Sequence, residues 1–263
     1  MWRGLGLSRD PFAAVADGGL FWETPEREAV RRSAVETLRN GRPVAVTGPG
    51  GSGRDTLVAS IADDALARGM PVLWVPLGEE PFLLAALEGA GAAPAEEGDP
   101  DRVALLCEVI LDRFQEAGPV VVAVEGTPDA EDLAELAFLA GLRVAGHPVA
   151  LPLWVHEGPV TDWAGEAPLP AVSREDLREF LFHRLAACGG PDLLPPSVLE
   201  DLAARARGLG SALALARREL RRLAFRGAAC EGAGSGAEAV LPADALDEVE
   251  DLLSALGPDD AGP

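Results

Sequence analysis

The chain has 263 residues, 48% of them hydrophobic, so it is long enough to bury a sizeable core in one or two domains. Its 22 basic and 43 acidic residues give a formal net charge of −21, which argues against broad electrostatic binding to nucleic acid or an anionic membrane. No apolar run approaches the roughly 18 residues of a membrane span, and the first residues lack the apolar stretch of a signal peptide, so we expect a cytoplasmic protein.

Residues 1–40 predict an N-terminal segment followed by one helix. The stretch 6–22 is loop-like, because Asp10-Pro11 and Gly18-Gly19 interrupt it. The helix is expected over residues 23–39, with Thr24 as its N-cap and Pro25 at the first helical position.

Residues 43–56 predict a strand, a glycine-rich loop and the start of a helix. The loop contains Gly48, four further residues and Gly53, followed by Arg54 and Asp55. This is the phosphate-loop pattern with Arg54 in place of its Lys and Asp55 in place of its Ser or Thr. The predicted nucleotide-binding residues are Gly48, Pro49, Gly50, Gly51, Ser52, Gly53, Arg54, Asp55 and Thr56.

The two substitutions change the chemistry of the loop. Arg54 keeps the positive charge and can pair with phosphate through two donors, although an exposed arginine on an empty loop is an equal alternative. Asp55 at ~4 Å from a phosphate charge would cost about 4 kcal/mol at an effective dielectric constant of 20. A magnesium ion between them would reverse that sign, so Asp55 is the candidate metal ligand. The chain contains no Lys, so no other lysine can replace the missing one.

Further apolar runs alternate with amphipathic segments, which is typical of a parallel sheet covered by helices on both faces. We predict strands at 71–77, 119–125 and 148–156, and helices at 82–87, 103–114 and 129–142. The α/β domain would then span residues 41–167. Its ligands are expected at the carboxyl ends of the strands, where Glu125 and His156-Glu157 follow apolar runs.

Residues 168–228 predict a small helical domain, and residues 229–263 a linker and an acidic tail. The helices are expected from Ser173 to about 189, from Pro196 to about 208, and over 211–226; the Gly/Ala-rich stretch 227–237 predicts a flexible linker and 242–256 an acidic helix. The last lid helix carries a basic stripe of Arg217, Arg218, Arg221, Arg222 and Arg226. This arginine stripe would bind phosphates or a partner, or pair with the acidic residues of the tail.

Several stretches taken together resemble the AAA+ ATPases of the secretion-pathway protein A (ExeA-like) type. The likeness covers roughly residues 4–226 and depends on the order and spacing of short matches. These matches are Gly6-Leu7, Asp10-Pro11-Phe12, Phe21-Trp22, the 48–56 loop, the 119–125 strand, Leu169, Ser173-Arg174-Glu175 and His183-Arg184-Leu185. The resemblance implies a P-loop α/β domain with an all-helical lid, ATP and Mg²⁺ as cofactors, and the ability to oligomerise.

The chain departs from this family where the family handles nucleotide. Two carboxylates of the family align with Val124 and Glu125, so the resemblance loses a magnesium ligand at Val124 and keeps Glu125 as the base that activates water. A Glu125 that only caps the end of the strand is an equal alternative. The polar sensor of the fourth strand aligns with His156-Glu157, and the sensor arginine of the lid is lost at Ser211.

Three functions are compatible with this pattern. The first is a degenerate AAA+ protein, a pseudo-ATPase that senses nucleotide or acts as a structural partner of another protein, such as an active AAA+ homologue. The second is a working magnesium-dependent ATPase that uses Arg54, Asp55 and Glu125 in a remodelled site. The third is a nucleic-acid-associated module of the kind that accompanies transposition, against which the net charge argues.

Overall fold

The computed structural model describes residues 2–12, 22–78, 81–92, 102–160 and 162–232. A five-stranded parallel sheet is its central layer. The strands are β1 (Val44–Thr47), β2 (Val72–Pro76), β3 (Val120–Glu125), β6 (Ala150–Val155) and β7 (Gly165–Pro168). Their order across the sheet is β2-β3-β6-β1-β7, so β1 lies between β6 and β7. A small antiparallel hairpin, β4 (Arg143–Val144) with β5 (His147–Pro148), lies outside this sheet.

Helices cover both faces of the sheet. Successive side chains of a strand point to opposite faces, so strands that are apolar throughout make both faces hydrophobic. The helices that cover the sheet are α1 (Pro25–Arg39), α2 (Arg54–Ala67), α3 (Phe82–Gly89), α4 (Arg102–Ala117) and α5 (Ala130–Gly141). One face packs Val44 and Val46 against α1 and α2. The other packs Ala45 and the alternate residues of β2 and β3 against α3, α4 and α5. The predicted parallel sheet flanked by helices is therefore confirmed.

Three helices form the lid: α6 (Arg174–Ala187), α7 (Pro196–Arg205) and α8 (Leu209–Gly232). Ser173 begins α6 with a capping box, since its hydroxyl accepts from the Asp176 amide while the Asp176 carboxylate accepts from the Ser173 amide. The lid core also contains Leu7, Phe12 and Trp22 from the N-terminal segment. Residues from both ends of the described chain thus share one hydrophobic cluster.

Several local predictions need correction. The linker predicted over 227–237 is helical as far as Gly232, because α8 continues through the Ala-rich stretch there. The last lid helix begins at Leu209 instead of 211, and both the edge strand Gly165–Pro168 and the β4–β5 hairpin had no counterpart in the sequence prediction. The acidic helix predicted over 242–256 and part of the loop-like segment 6–22 lie outside the described residues.

Candidate nucleotide-binding site

The glycine-rich loop joins β1 to α2 and contains three glycines with positive φ. Gly48, Gly51 and Gly53 all have positive φ, at 138°, 75° and 88°, which glycine adopts without a Cβ penalty. A Cβ on Gly48 would lie 2.6 Å from the Leu169 carbonyl oxygen, so no side chain fits there. Gly53 caps α2 without a side-chain hydrogen bond to the first turn. The first N–H groups of α2 and the positive end of its dipole are thus suited to a phosphate.

Arg54, at the position of the phosphate-loop lysine, forms an ion pair with Glu157. Its Nη2 donates to Glu157 Oε1 over 2.9 Å, and the Arg54 side chain retains only 13% of its accessible surface. Glu157 lies two residues beyond the carboxyl end of β6, in the His156-Glu157 pair that the resemblance aligns with a polar sensor. The structure therefore brings two predicted site residues together, and the cation of the loop is partly neutralised by a carboxylate.

The predicted magnesium and water-activating residues are both accessible. Asp55 is exposed in the first turn of α2, and Glu125 is exposed at the end of β3. Because β6 separates β1 from β3, their carboxyl ends are roughly 10 Å apart. Val124, where the resemblance expects a carboxylate, is fully buried in the apolar core. Within the described ranges, no group of three or more His, Cys, Asp and Glu side chains could hold a metal ion on its own.

The lid makes direct backbone contact with the phosphate loop. The Leu209 amide donates to the Gly51 carbonyl oxygen over 2.8 Å. A Cβ added to Gly208 would lie 2.9 Å from the Gly51 Cα and carbonyl oxygen, so only glycine allows this approach. Ser211, where the resemblance expects a sensor arginine, turns back to its own helix start, and its Oγ donates to the Gly208 carbonyl oxygen over 3.0 Å. The lid therefore contacts the loop through its backbone at Gly208 and Leu209.

Arg27 is part of the site and was missed by the sequence analysis. It belongs to α1, is only 4% exposed, and its Nη2 donates to the Ser52 carbonyl oxygen over 2.7 Å. Its guanidinium carbon lies 5.4 Å from the centroid of the Trp22 ring. Helical spacing places Arg27 on the half of α1 that faces α2, but an arginine in that pattern is usually solvated, so the sequence carried no clear signal.

Two other candidates have local partners. His156 Nε2 lies 3.1 Å from the Pro159 carbonyl oxygen, which is consistent with a structural role. In the arginine stripe, Arg217 pairs with Asp10 at 2.8 Å and Arg222 with Glu219 at 3.3 Å. The proposed acidic partner of this stripe in the tail lies outside the described residues.

Known structures share the fold of this chain. The ORC2 protein of Aeropyrum pernix matches with a TM-score of 0.56 in its ADPNP-ADP complexes, at 19% identity over 79% of this chain and 63% of that one. Its ADP form matches with a TM-score of 0.57, at 19% identity over 86% and 68%. Cdc6p of Pyrobaculum aerophilum matches with a TM-score of 0.58, at 11% identity over 80% and 64%.

The chain thus spans about two thirds of the length of these proteins. No protein-family model and no curated protein matches the sequence. Across the part of the chain that the structure describes, no helix combines the length and apolarity needed to cross a bilayer. Similarity at these identities shows the fold alone, which is a parallel sheet flanked by helices and followed by a small helical lid.

Proposed function

We propose that the chain is a degenerate AAA+ ATPase-like protein with weak or absent ATP hydrolysis, which acts as a nucleotide-sensing or structural, regulatory partner in a larger assembly. The observation that carries this proposal is the ion pair between Arg54 and Glu157. The cation that would contact the outer phosphates is already bound by a carboxylate, and that carboxylate would repel a nucleotide. A bound nucleotide must therefore either break the ion pair or place its phosphates close to the negative charge of Glu157.

The groups around the loop are better suited to binding a nucleotide than to hydrolysing it. The N–H groups of the loop and of the first turn of α2 would hold phosphates, since this helix start has no side-chain cap. Asp55 is the one carboxylate in that turn and would hold Mg²⁺, which favours oxygen ligands and usually needs one or two carboxylates plus phosphate. Glu125 would accept the proton of an attacking water. With Val124 apolar, one metal ligand of the resembled family is missing.

A magnesium-dependent ATPase with a remodelled site is the second candidate. The observation that favours it is the exposure of both Asp55 and Glu125, which leaves their carboxylates accessible to a metal and a water. Turnover separates the two candidates. We expect the purified protein to release phosphate from ATP no faster than its Glu125→Gln variant. Phosphate release that the variant loses would instead establish the remodelled ATPase and refute the degenerate one.

The family relationship, the protein partner and the domain boundaries are also part of this proposal. A relationship to the secretion-pathway protein A type is supported by the ordered matches of the sequence, and a protein partner is expected because the catalytic residues are incomplete. We further propose a P-loop domain at 41–167, a lid that starts at 168, and a separate acidic tail. Size-exclusion chromatography with light scattering, with and without ATP, tests whether the chain itself oligomerises.

A further inference from the structure

The buried arginine of α1 contacts the phosphate loop at Ser52 and lies close to Gly53. Arg27 Nη2 donates to the Ser52 carbonyl oxygen over 2.7 Å. Its Nη1 would lie 3.5 Å from a Cβ added to Gly53, and Leu209 Cδ1 of the lid would lie 2.8 Å from the same point. Gly53 is therefore enclosed between a cation of α1 and an apolar side chain of α8.

Because Arg27 is buried, losing its hydrogen bond to Ser52 would leave a charged donor without water to replace the acceptor. Desolvation lowers the pKa of Arg27, and the negative charge of Asp176 at the start of α6 opposes that shift. A guanidinium keeps its proton even when its pKa falls, so its donors need acceptors inside the protein. The Ser52 carbonyl is such an acceptor, and the Trp22 ring covers a face of the cation.

The hydrogen bond to Ser52 fixes the direction of the next amide. In a trans peptide the carbonyl and the following N–H point in opposite directions, and no described peptide bond is cis. With the Ser52 carbonyl turned toward Arg27, the Gly53 N–H is turned to the opposite side of the loop. That N–H is one of the groups that a phosphate loop uses to bind anions.

The same region of the loop is held by the lid. The carbonyl of Gly51 accepts from the Leu209 amide, and the carbonyl of the next residue accepts from Arg27. Trp22, which covers Arg27, packs edge to face against Phe180 of α6 with ring centroids 5.9 Å apart. Two consecutive loop carbonyls are therefore connected to the lid, one directly and one through Arg27 and Trp22.

We propose that Arg27 is a positioning residue that holds the phosphate loop in its anion-binding shape and couples that shape to the lid. The proposal deepens the proposed function, since it gives a nucleotide-sensing protein the route by which the loop and the lid affect each other. It also predicts a preformed loop in the absence of nucleotide. A partner that moves the lid would change the orientation of the loop amides.

Amide hydrogen exchange of the nucleotide-free protein tests this. We expect Arg27→Met to increase exchange at two protected amides by about tenfold or more, as loss of a hydrogen bond to a charged group implies. These are the Ser52 amide, which donates to the Pro49 carbonyl oxygen inside the loop, and the Leu209 amide. Amides of the central strand β1 should exchange as in the wild type. Arg27→Lys, which keeps the charge but loses the fork of donors, should give an intermediate increase. If Arg27→Met does not fold, Arg27→Lys decides by the same comparison.

Arg31→Met is the matched control, since Arg31 lies one turn further along α1 and pairs with Glu23 and Asp64 without contacting the loop. It should leave the exchange of the Ser52 amide unchanged. Unchanged exchange at Ser52 in the Arg27 variants, or an equal increase in β1, would overturn the positioning role. A change at Ser52 without a change at Leu209 would overturn the coupling. Because no nucleotide is added, a failure of ATP to bind would refute nucleotide sensing and leave this test valid.

Discussion

Arg54 and Glu157 are 103 positions apart in the sequence, yet Arg54 Nη2 donates to Glu157 Oε1 over 2.9 Å. The pair joins the start of α2 to the loop after β6, so the cation of the phosphate loop has a partner within the same domain. Glu157 is 66% exposed, so the pair is accessible to a competing anion. We interpret it as a contact that a bound nucleotide has to replace.

Removing the carboxylate should favour nucleotide binding. We expect Glu157→Gln to tighten ATP affinity about two- to fivefold at low salt, since exposed ion pairs contribute up to about 1 kcal/mol. The gain should shrink as the ionic strength rises. Isothermal titration calorimetry at two salt concentrations measures it. The control is Glu219→Gln, which removes a similar charge paired with Arg222 on the lid. An equal gain in the control would show a general charge effect instead.

The contact between the lid and the loop depends on a missing side chain. We expect Gly208→Ala to destabilise the protein by about 1–3 kcal/mol, because its Cβ would lie 2.9 Å from backbone atoms of Gly51. Gly210→Ala is the matched control, since a Cβ there meets no atom within 4 Å and alanine favours a helix. Urea denaturation measures both. Equal stability of the two variants would contradict the close backbone packing.

One glutamate of α5 should make stability depend on pH. Burial, followed by repulsion from Asp132, Glu131 and Asp129, raises the pKa of the Glu135 carboxyl. The folded state thus holds this proton more tightly than the unfolded chain, so stability falls as pH rises through the interval between the ordinary and the raised pKa. Glu135→Gln should therefore raise the melting temperature at pH 7, and the gain should disappear below about pH 4. A gain that is equal at both pH values would contradict this.

The arginine stripe provides a test of the tail. Arg218 and Arg221 are exposed on α8, and the stretch 236–263 is acidic and contains no basic residue. We expect deletion of residues 236–263 to increase binding to heparin, with a steep dependence on salt. Adding Arg218→Glu and Arg221→Glu to the deletion should abolish the gain. If the deletion alone changes nothing, the tail does not mask the stripe.

Much of the fold follows from local patterns. The buried strands are apolar throughout and are bounded by Gly and Pro, and the caps Thr24 and Ser173 begin helices where the sequence predicts them. The edge strand β7 was missed because Gly165–Pro168 has no apolar run. Its residues have low strand propensity, and the strand is formed by parallel pairing with β1. The end of α8 was missed because glycines there suggested a linker, whereas the helix continues through the alanines between them.

The site was predictable in part. The loop pattern identified the residues around Arg54, and the order of strands explains why Glu125 and Glu157 follow neighbouring strand ends. The pairing of Arg54 with Glu157 was not predictable, since the sequence alone does not determine which of many acidic residues an arginine meets. The burial of Arg27 requires the packing of α1, the loop and Trp22 together, which no local pattern contains.

We propose that the phosphate loop keeps its shape but has an altered chemistry. Equilibrium titration with ATP and ADP, in Mg²⁺ and in EDTA, tests it on the wild type and on an Arg54→Lys/Asp55→Thr double variant. We predict weak binding by the wild type that requires Mg²⁺, because Asp55 repels phosphate unless a metal lies between them. The double variant should bind more tightly. Equal affinity of the two proteins would show that Arg54 and Asp55 do not weaken binding, and wild-type binding that is the same in EDTA would rule out Asp55 as a metal ligand.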